Sequence, residues 1–268
     1  MCFKKIIEWF KQDAMGRPDY TKNTIVPIIV GNYPGTANDL AGPPYDQVDF
    51  QEKILSLWPH YIFRTFIDSE ATAGAFLNEL QTGVSLIEEG DLLLFINDNC
   101  FSESNTKCLN SPKILGSRFF NNPNLPLKTK IKSRALRQAN NYLSMSACLD
   151  HETAADAEFE HPNGAYHYAL IKTLEKGITY QQWHERAFLL LKQMGFQQSC
   201  TLEGPFDLRN RIVFEGNVIC YETSSHGSYT YDKDGDELDG QDEGPYLYDR
   251  MVLDDEINSI ISTNNFLV

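Results

Sequence analysis

The chain has no CxxC pair, no internal repeat, no excess of basic charge and no apolar run near the ~18 residues that a membrane-crossing helix needs. Each lack removes a class of protein. The six cysteines, at positions 2, 100, 108, 148, 200 and 220, are too scattered for a disulfide framework. Cys148 and His151 have a CxxH spacing, but no second ligand pair accompanies them, so zinc is not expected. The stretch MCFKKIIEWFKQDAMGR is too polar for a secretory signal. The expectation is a soluble protein, with no membrane partner, in a reducing compartment such as the cytoplasm, where a thiol stays usable. A net charge of −14 argues against nucleic acid as a partner, because a phosphate-binding face would be net basic with interleaved aromatics.

What is there suffices for a sizeable core: 268 residues, 42% apolar and 22% charged. The charge is segregated. Residues 232–256 hold eleven acidic and two basic side chains, whereas residues 104–149 carry eight Lys or Arg and no acid. The basic stretch reads as a solvated, loop-rich insertion.

Apolar patterning alternates between strand and helix. Residues 3–11 have helical spacing and predict a short amphipathic helix ahead of the main fold. The run 24–30 (TIVPIIV) reads as a buried strand that empties into the turn-rich GNYPGTANDLAGPPYD. A helix over 46–57 follows, then a second strand over 61–67 (YIFRTFI) and a second helix over 69–80 with a serine cap. Residues 91–96 (DLLLFI) form a third strand that delivers Asp98, Asn99 and Cys100 past its carboxyl end, where parallel α/β sheets gather their reactive loops. Beyond an exposed loop over 101–130, the pattern predicts a strand at 142–147, helices at 161–174 and 180–194, and an edge strand at 198–202. The run 217–223 (NVICYET) is a further strand, followed by SSHG, a long acidic loop and a terminal helix from about Asp254.

A thiol attacks a peptide carbonyl well only when a base holds its proton, so a Cys and a His must meet in space. Cys100 in NDNCFSES and His226 in TSSHGSY each follow a predicted buried strand, which makes them the candidate dyad. The other cysteines read as small hydrophobes. Gly227, after the histidine, would let substrate backbone approach, and its N–H could help form an oxyanion hole. Asp46 and Asp98 would reach the same rim, giving a pocket of two carboxylates that prefers Arg or Lys. A helix N-terminal charge for Asp46 and a turn cap for Asp98 are the plainer readings. The stretch DKDGDELDGQDE crowds Asp232, Asp234, Asp236, Asp239 and Asp242 together, and a hard divalent cation, calcium, would relieve their repulsion. The EF-hand pattern does not fit, and a solvated acidic loop stands as the alternative. Asp254 and Asp255 could cap the last helix or join a metal site.

These segments resemble the caspase and metacaspase superfamily of cysteine peptidases, more closely the metacaspase-like peptidases of microbes. NYPGTANDLAG with YDQV looks like the family's first-strand motif, EATAGAFLNEL like its second helix, and DNCFSES like its nucleophile motif. SSHGSYTYDKDGDELDGQDEGPYLYDRMVLDDEI is similar to its histidine segment with acidic loop and final helix, and MSACLDHETAADA, NGAYHYALIKTL and MGFQQSCTLEG to its small-subunit region. The resemblance implies a three-layer α/β sandwich with a mostly parallel sheet of about six strands. It implies Cys100 and His226 as dyad, Asp46, Asp98 and Ser224 around a basic-specific pocket, and Asp242, Asp254 and Asp255 at a calcium site. The implied substrate is a protein or peptide with Arg or Lys at the cleaved bond, and self-cleavage in the basic segment is a linked expectation. Asn99, Phe101, Glu103 and Ser225 depart from the motifs.

Segment order departs as well. The family's histidine strand comes between the second helix and the nucleophile strand, whereas here it stands at the carboxyl end, implying a permuted order. One domain over 1–268 is expected. Its parts are a helical extension (1–23), a nucleophile-bearing half (24–106), a basic loop (107–137), a small-subunit-like half (138–215) and the histidine strand with acidic loop (216–268). The rivals are a catalytically silent caspase-like interaction module and a calcium-binding scaffold.

Overall fold

Apolar runs bounded by turn residues become the strands of one central sheet: β1 (Thr24–Ile29), β2 (Ile62–Phe63), β3 (Phe66–Ile67), β4 (Leu92–Asn97), β6 (Tyr142–Ser146), β9 (Thr201–Glu203) and β10 (Val218–Ser224). The computed structural model describes residues 17–33, 39–98, 114–117, 142–149, 152, 154–231 and 241–265. The strand order is β2-β1-β10-β4-β6-β9, with β3 also on β1. All pairs are parallel except β6 with β9.

Helices cover both faces, and strand alternation decides which residue meets which layer. Leu92, Leu94, Ile96, Val218 and Cys220 pack with α1 (Pro43–Leu57), α3 (Ala165–Thr173) and α4 (Tyr180–Gln193), around Phe50, Tyr166 and Trp183. Leu93, Phe95, Ile219 and Tyr221 face α2 (Ala73–Leu86) and α6 (Asp254–Ile261), around Phe76 and Leu80, and the one-turn α5 (Phe206–Arg209) lies between α4 and α6 in the chain. The chain is therefore a three-layer α/β sandwich with a mostly parallel sheet. Each large side chain buried this way contributes roughly 1.5–3 kcal/mol.

The strand predicted over 61–67 is broken into β2 and β3, yet both halves keep one register on β1, Ile25 opposite Phe63 and Ile28 opposite Phe66. Pro27 explains the break. The carbonyl of Ile25 takes the Arg64 N–H at 2.9 Å, so Pro27, two residues on, faces the same neighbour without an N–H to give. The second helix starts at Ala73, not at 69, because Thr72 is its cap, accepting from the Ala75 N–H at 3.1 Å; Ser69 lies in a 3-10 turn. The first helix begins at Pro43, whose lack of an N–H suits a first turn.

Three further expectations are corrected. The helix predicted from 161 starts at Ala165, because residues 162–164 are β8 (Pro162–Gly164), paired with β7 (Ala155–Glu158). β5 (Ile114–Ser117), inside the stretch read as a loop, joins β7 in this small antiparallel sheet. The stretch after SSHG is no continuous loop, since β11 (His226–Tyr231) pairs antiparallel with β12 (Gln241–Tyr246). The predicted helix 3–11 lies outside the described residues. Among the described residues, no helix is long and apolar enough to cross a membrane.

Candidate functional site

β10 comes from the end of the chain and inserts between β1 and β4, with Ile28 and Asn97 flanking Thr223 in parallel register. Backbone pairing runs past the strands: the Val30 N–H donates to the Ser224 carbonyl and the Asp98 N–H to the Thr223 carbonyl, both at 2.9 Å. The carboxyl ends of β1, β10 and β4 thus form one continuous rim, where parallel α/β sheets build their sites. Asp98 is fixed two residues before Cys100, and Ser224 two residues before His226. Cys100 itself lies outside the described residues.

Alternation turns Asp98, Glu222 and Ser224 toward the α1–α3 layer, and all three are fully buried. The Ser224 hydroxyl donates to Asp46 Oδ2 at 2.9 Å. Asp46 Oδ1 accepts from the Gly164 N–H at 2.9 Å and from Asn163 Nδ2 at 3.1 Å. Asp46 is therefore more than a favourable charge in the first turn of α1: three donors from two distant segments converge on it. Asp156 of β7 answers from the other side, its Oδ2 taking the Gly42 N–H at the start of α1 at 3.0 Å. Asp98 lies on the Tyr166 side, where burial, with smaller contributions from the Cys200 and Asp98 charges, holds the Tyr166 phenol well above its ordinary range.

Beneath this group Glu222 Oε1 stands 3.7 Å from His167 Nδ1, both fully buried between β10 and α3. Nearby, burial pushes the Asp49 carboxyl up, while His161, whose Nε2 is 3.3 Å away, pulls it back.

His226 opens β11 and is buried. Its backbone N–H donates to the Tyr33 hydroxyl at 2.9 Å, and that hydroxyl donates to the Tyr246 carbonyl at 3.0 Å. The two rings are 4.9 Å apart between centroids, tilted by 49°. Gly227 is opposite Pro245, whose carbonyl is taken by the Val252 N–H at 3.0 Å. This marks a non-hydrogen-bonded pair of the ladder, so the Gly227 N–H points away from β12, as an oxyanion donor must.

Asp242 is buried on β12 opposite Thr230, and Asp254 and Asp255 stand in the first turn of α6. Among the described residues, no group of three or more His, Cys, Asp or Glu is arranged to hold a metal ion. Asp232, Asp234, Asp236 and Asp239 lie outside the described residues.

Sequence reasoning missed Asn163, Asp156, the Glu222–His167 pair and Tyr33. Glu222 was visible as a lone acid in an apolar strand. Asp156 and Asn163 sit in the short strands β7 and β8, His167 in α3 and Tyr33 after β1, and only the fold supplies their partners. Cys200 and Cys220 are free, but Cys148, read from the sequence as a small hydrophobe, is disulfide-bonded.

No family profile and no curated protein matches the chain. Protein GSU0716 from Geobacter sulfurreducens, a solved structure, superimposes with a TM-score of 0.49 at 15% identity, covering 72% of this chain and 98% of that one.

Proposed function

We propose that the chain is a cysteine endopeptidase of metacaspase type, with Cys100 as nucleophile and His226 as base, cleaving after Arg or Lys. The observation that supports it best is the insertion of β10 beside β4, which brings the histidine strand alongside the strand that leads to Cys100 across 126 residues of sequence. Two residues of chain span no more than about 7 Å, so Cys100 stays within short reach of Asp98.

In this mechanism the thiol proton passes to the His226 imidazole as sulfur attacks the scissile carbonyl. The developing oxyanion is met by the Gly227 N–H. Collapse of the intermediate breaks the C–N bond, and His226 returns the proton to the departing amine. Water, deprotonated by His226, then releases the acid from the thioester and restores the thiol. Asp46 and Asp98, with Ser224, supply the negative pocket for the basic side chain before the cleaved bond. The acidic stretch around Asp242, with Asp254 and Asp255, is where calcium would act, and no step above depends on it. A reducing compartment such as the cytoplasm suits the nucleophile.

A catalytically silent caspase-like module is the second reading, and the complete burial of Asp46, Asp98 and Ser224 is what favours it. Hydrolysis of Arg- and Lys-ended fluorogenic peptides by wild type and Cys100→Ala decides between them. Because Cys148 is disulfide-bonded, the assay is run with and without thiol reductant, and with and without calcium. Activity that disappears in Cys100→Ala is expected; equal inertness of both proteins under all conditions sinks the peptidase reading. Thermal stabilisation by calcium without hydrolysis would instead indicate a scaffold.

A further inference from the structure

We infer that Tyr33 is a positioning residue for His226, fixing backbone and imidazole together; the inference rests on the peptidase reading for its kinetic consequence only. The phenol is buried, and its hydroxyl is used as both acceptor and donor, toward the His226 N–H and the Tyr246 carbonyl. It bridges the first pair of the β11–β12 ladder, where His226 is opposite Tyr246. The ring completes the hold, lying 4.9 Å from the imidazole.

A positioning group must itself be rigid, and Tyr33 is tied at several points. Asp68 Oδ1 accepts from the Gly31 and Asn32 N–H groups, each at 2.9 Å. The Tyr33 N–H donates to Asp39 Oδ1 at 2.8 Å, and the Leu40 N–H closes onto the Gly31 carbonyl at 2.8 Å. Asp68 does this from a left-handed conformation, φ 46°, that a non-glycine residue adopts only at a cost. Residues 31–33 are thus braced against the rim, and through one hydroxyl Tyr33 sets where β11 begins. An imidazole that must meet a thiol within hydrogen-bond distance depends on that starting point.

Tyr33→Phe keeps the ring and removes the bridge. Tyr221→Phe serves as a control, since it removes another buried hydroxyl, one bonded to Tyr20 at 2.5 Å and to the Glu79 carbonyl at 2.7 Å. In full-length protein, Tyr33→Phe is expected to lower kcat about tenfold with KM within about twofold. It is also expected to move the imidazole C–H resonances of His226, assigned by their loss in His226→Gln. Tyr221→Phe should do neither at a comparable loss of Tm. If Tyr33→Phe matches Tyr221→Phe in kcat and in the His226 resonances, the inference is overturned. If wild type proves inert, the resonances alone decide: displaced signals uphold the positioning role while the peptidase reading falls, and unmoved signals end both.

Discussion

Ser224 and Asp46 are joined by a 2.9 Å hydrogen bond although 178 residues separate them, which ties the last residue of β10 to the first turn of α1. This bond locks a strand from the end of the chain onto a helix near its beginning. Because Asp46 also accepts from Gly164 and Asn163, removing its carboxylate strands three donors at once.

Ser224→Ala is expected to lower stability by about 1 kcal/mol and Asp46→Ala by about 3 kcal/mol, the double variant losing less than the sum. Urea denaturation of the four proteins measures this. Strict additivity would mean that the two side chains do not interact in solution.

Gly83 of α2 lies against the Tyr221 ring so closely that an added Cβ would stand 2.0 Å from the hydroxyl oxygen. Gly83→Ala is expected to cost about 2–3 kcal/mol, with part of that loss absent in a Tyr221→Phe background, where the Tyr20 hydroxyl would still stand 2.7 Å from the added Cβ. A thermal melt of the pair of variants reads the coupling. The same cost in both backgrounds would show that the clash is relieved elsewhere.

His184, on α4 beside Tyr166, is pushed down from 6.5 to about 4 by burial, with Glu185 opposing. The folded state therefore holds it neutral where the unfolded chain would bind a proton. Stability from this residue is present above pH 6.5 and is lost as pH falls toward 4. Between pH 7 and pH 5 the loss is about 2 kcal/mol. His184→Gln should flatten the urea midpoint over that window, and an unchanged slope would assign the pH dependence to other groups.

Burial pushes the Cys200 thiol up to about 12, and burial with the Glu222 charge holds Cys220 well above its ordinary range. Neither forms a thiolate at neutral pH, so iodoacetamide should leave both unmodified in the native protein and label both in urea. Peptide mass spectrometry locates the label. On the peptidase reading, Cys100 labels in the reduced native state, and more slowly in His226→Ala.

Much of this was legible in the residues alone. The α/β class followed from apolar runs alternating with helical spacing, because burial on both faces makes a strand continuously apolar, as in 92–96 and 218–221. Asp46, Asp98, Cys100 and His226 stood out by following such runs or opening the helix between them. Local chemistry that depends on a neighbour strand did not show. Pro27 breaks β2 from β3 across a ladder, and the hairpin of β11 with β12 hides in a stretch whose charge reads as loop. What only the tertiary structure decided is the meeting of distant segments. A periodicity states which face of a strand is buried, but not which strand lies beside it, since main-chain hydrogen bonds carry no side-chain label. β10 beside β4, Asn163 and Ser224 on Asp46, and Tyr33 on His226 exist because the folded sheet brings them within 3.1 Å.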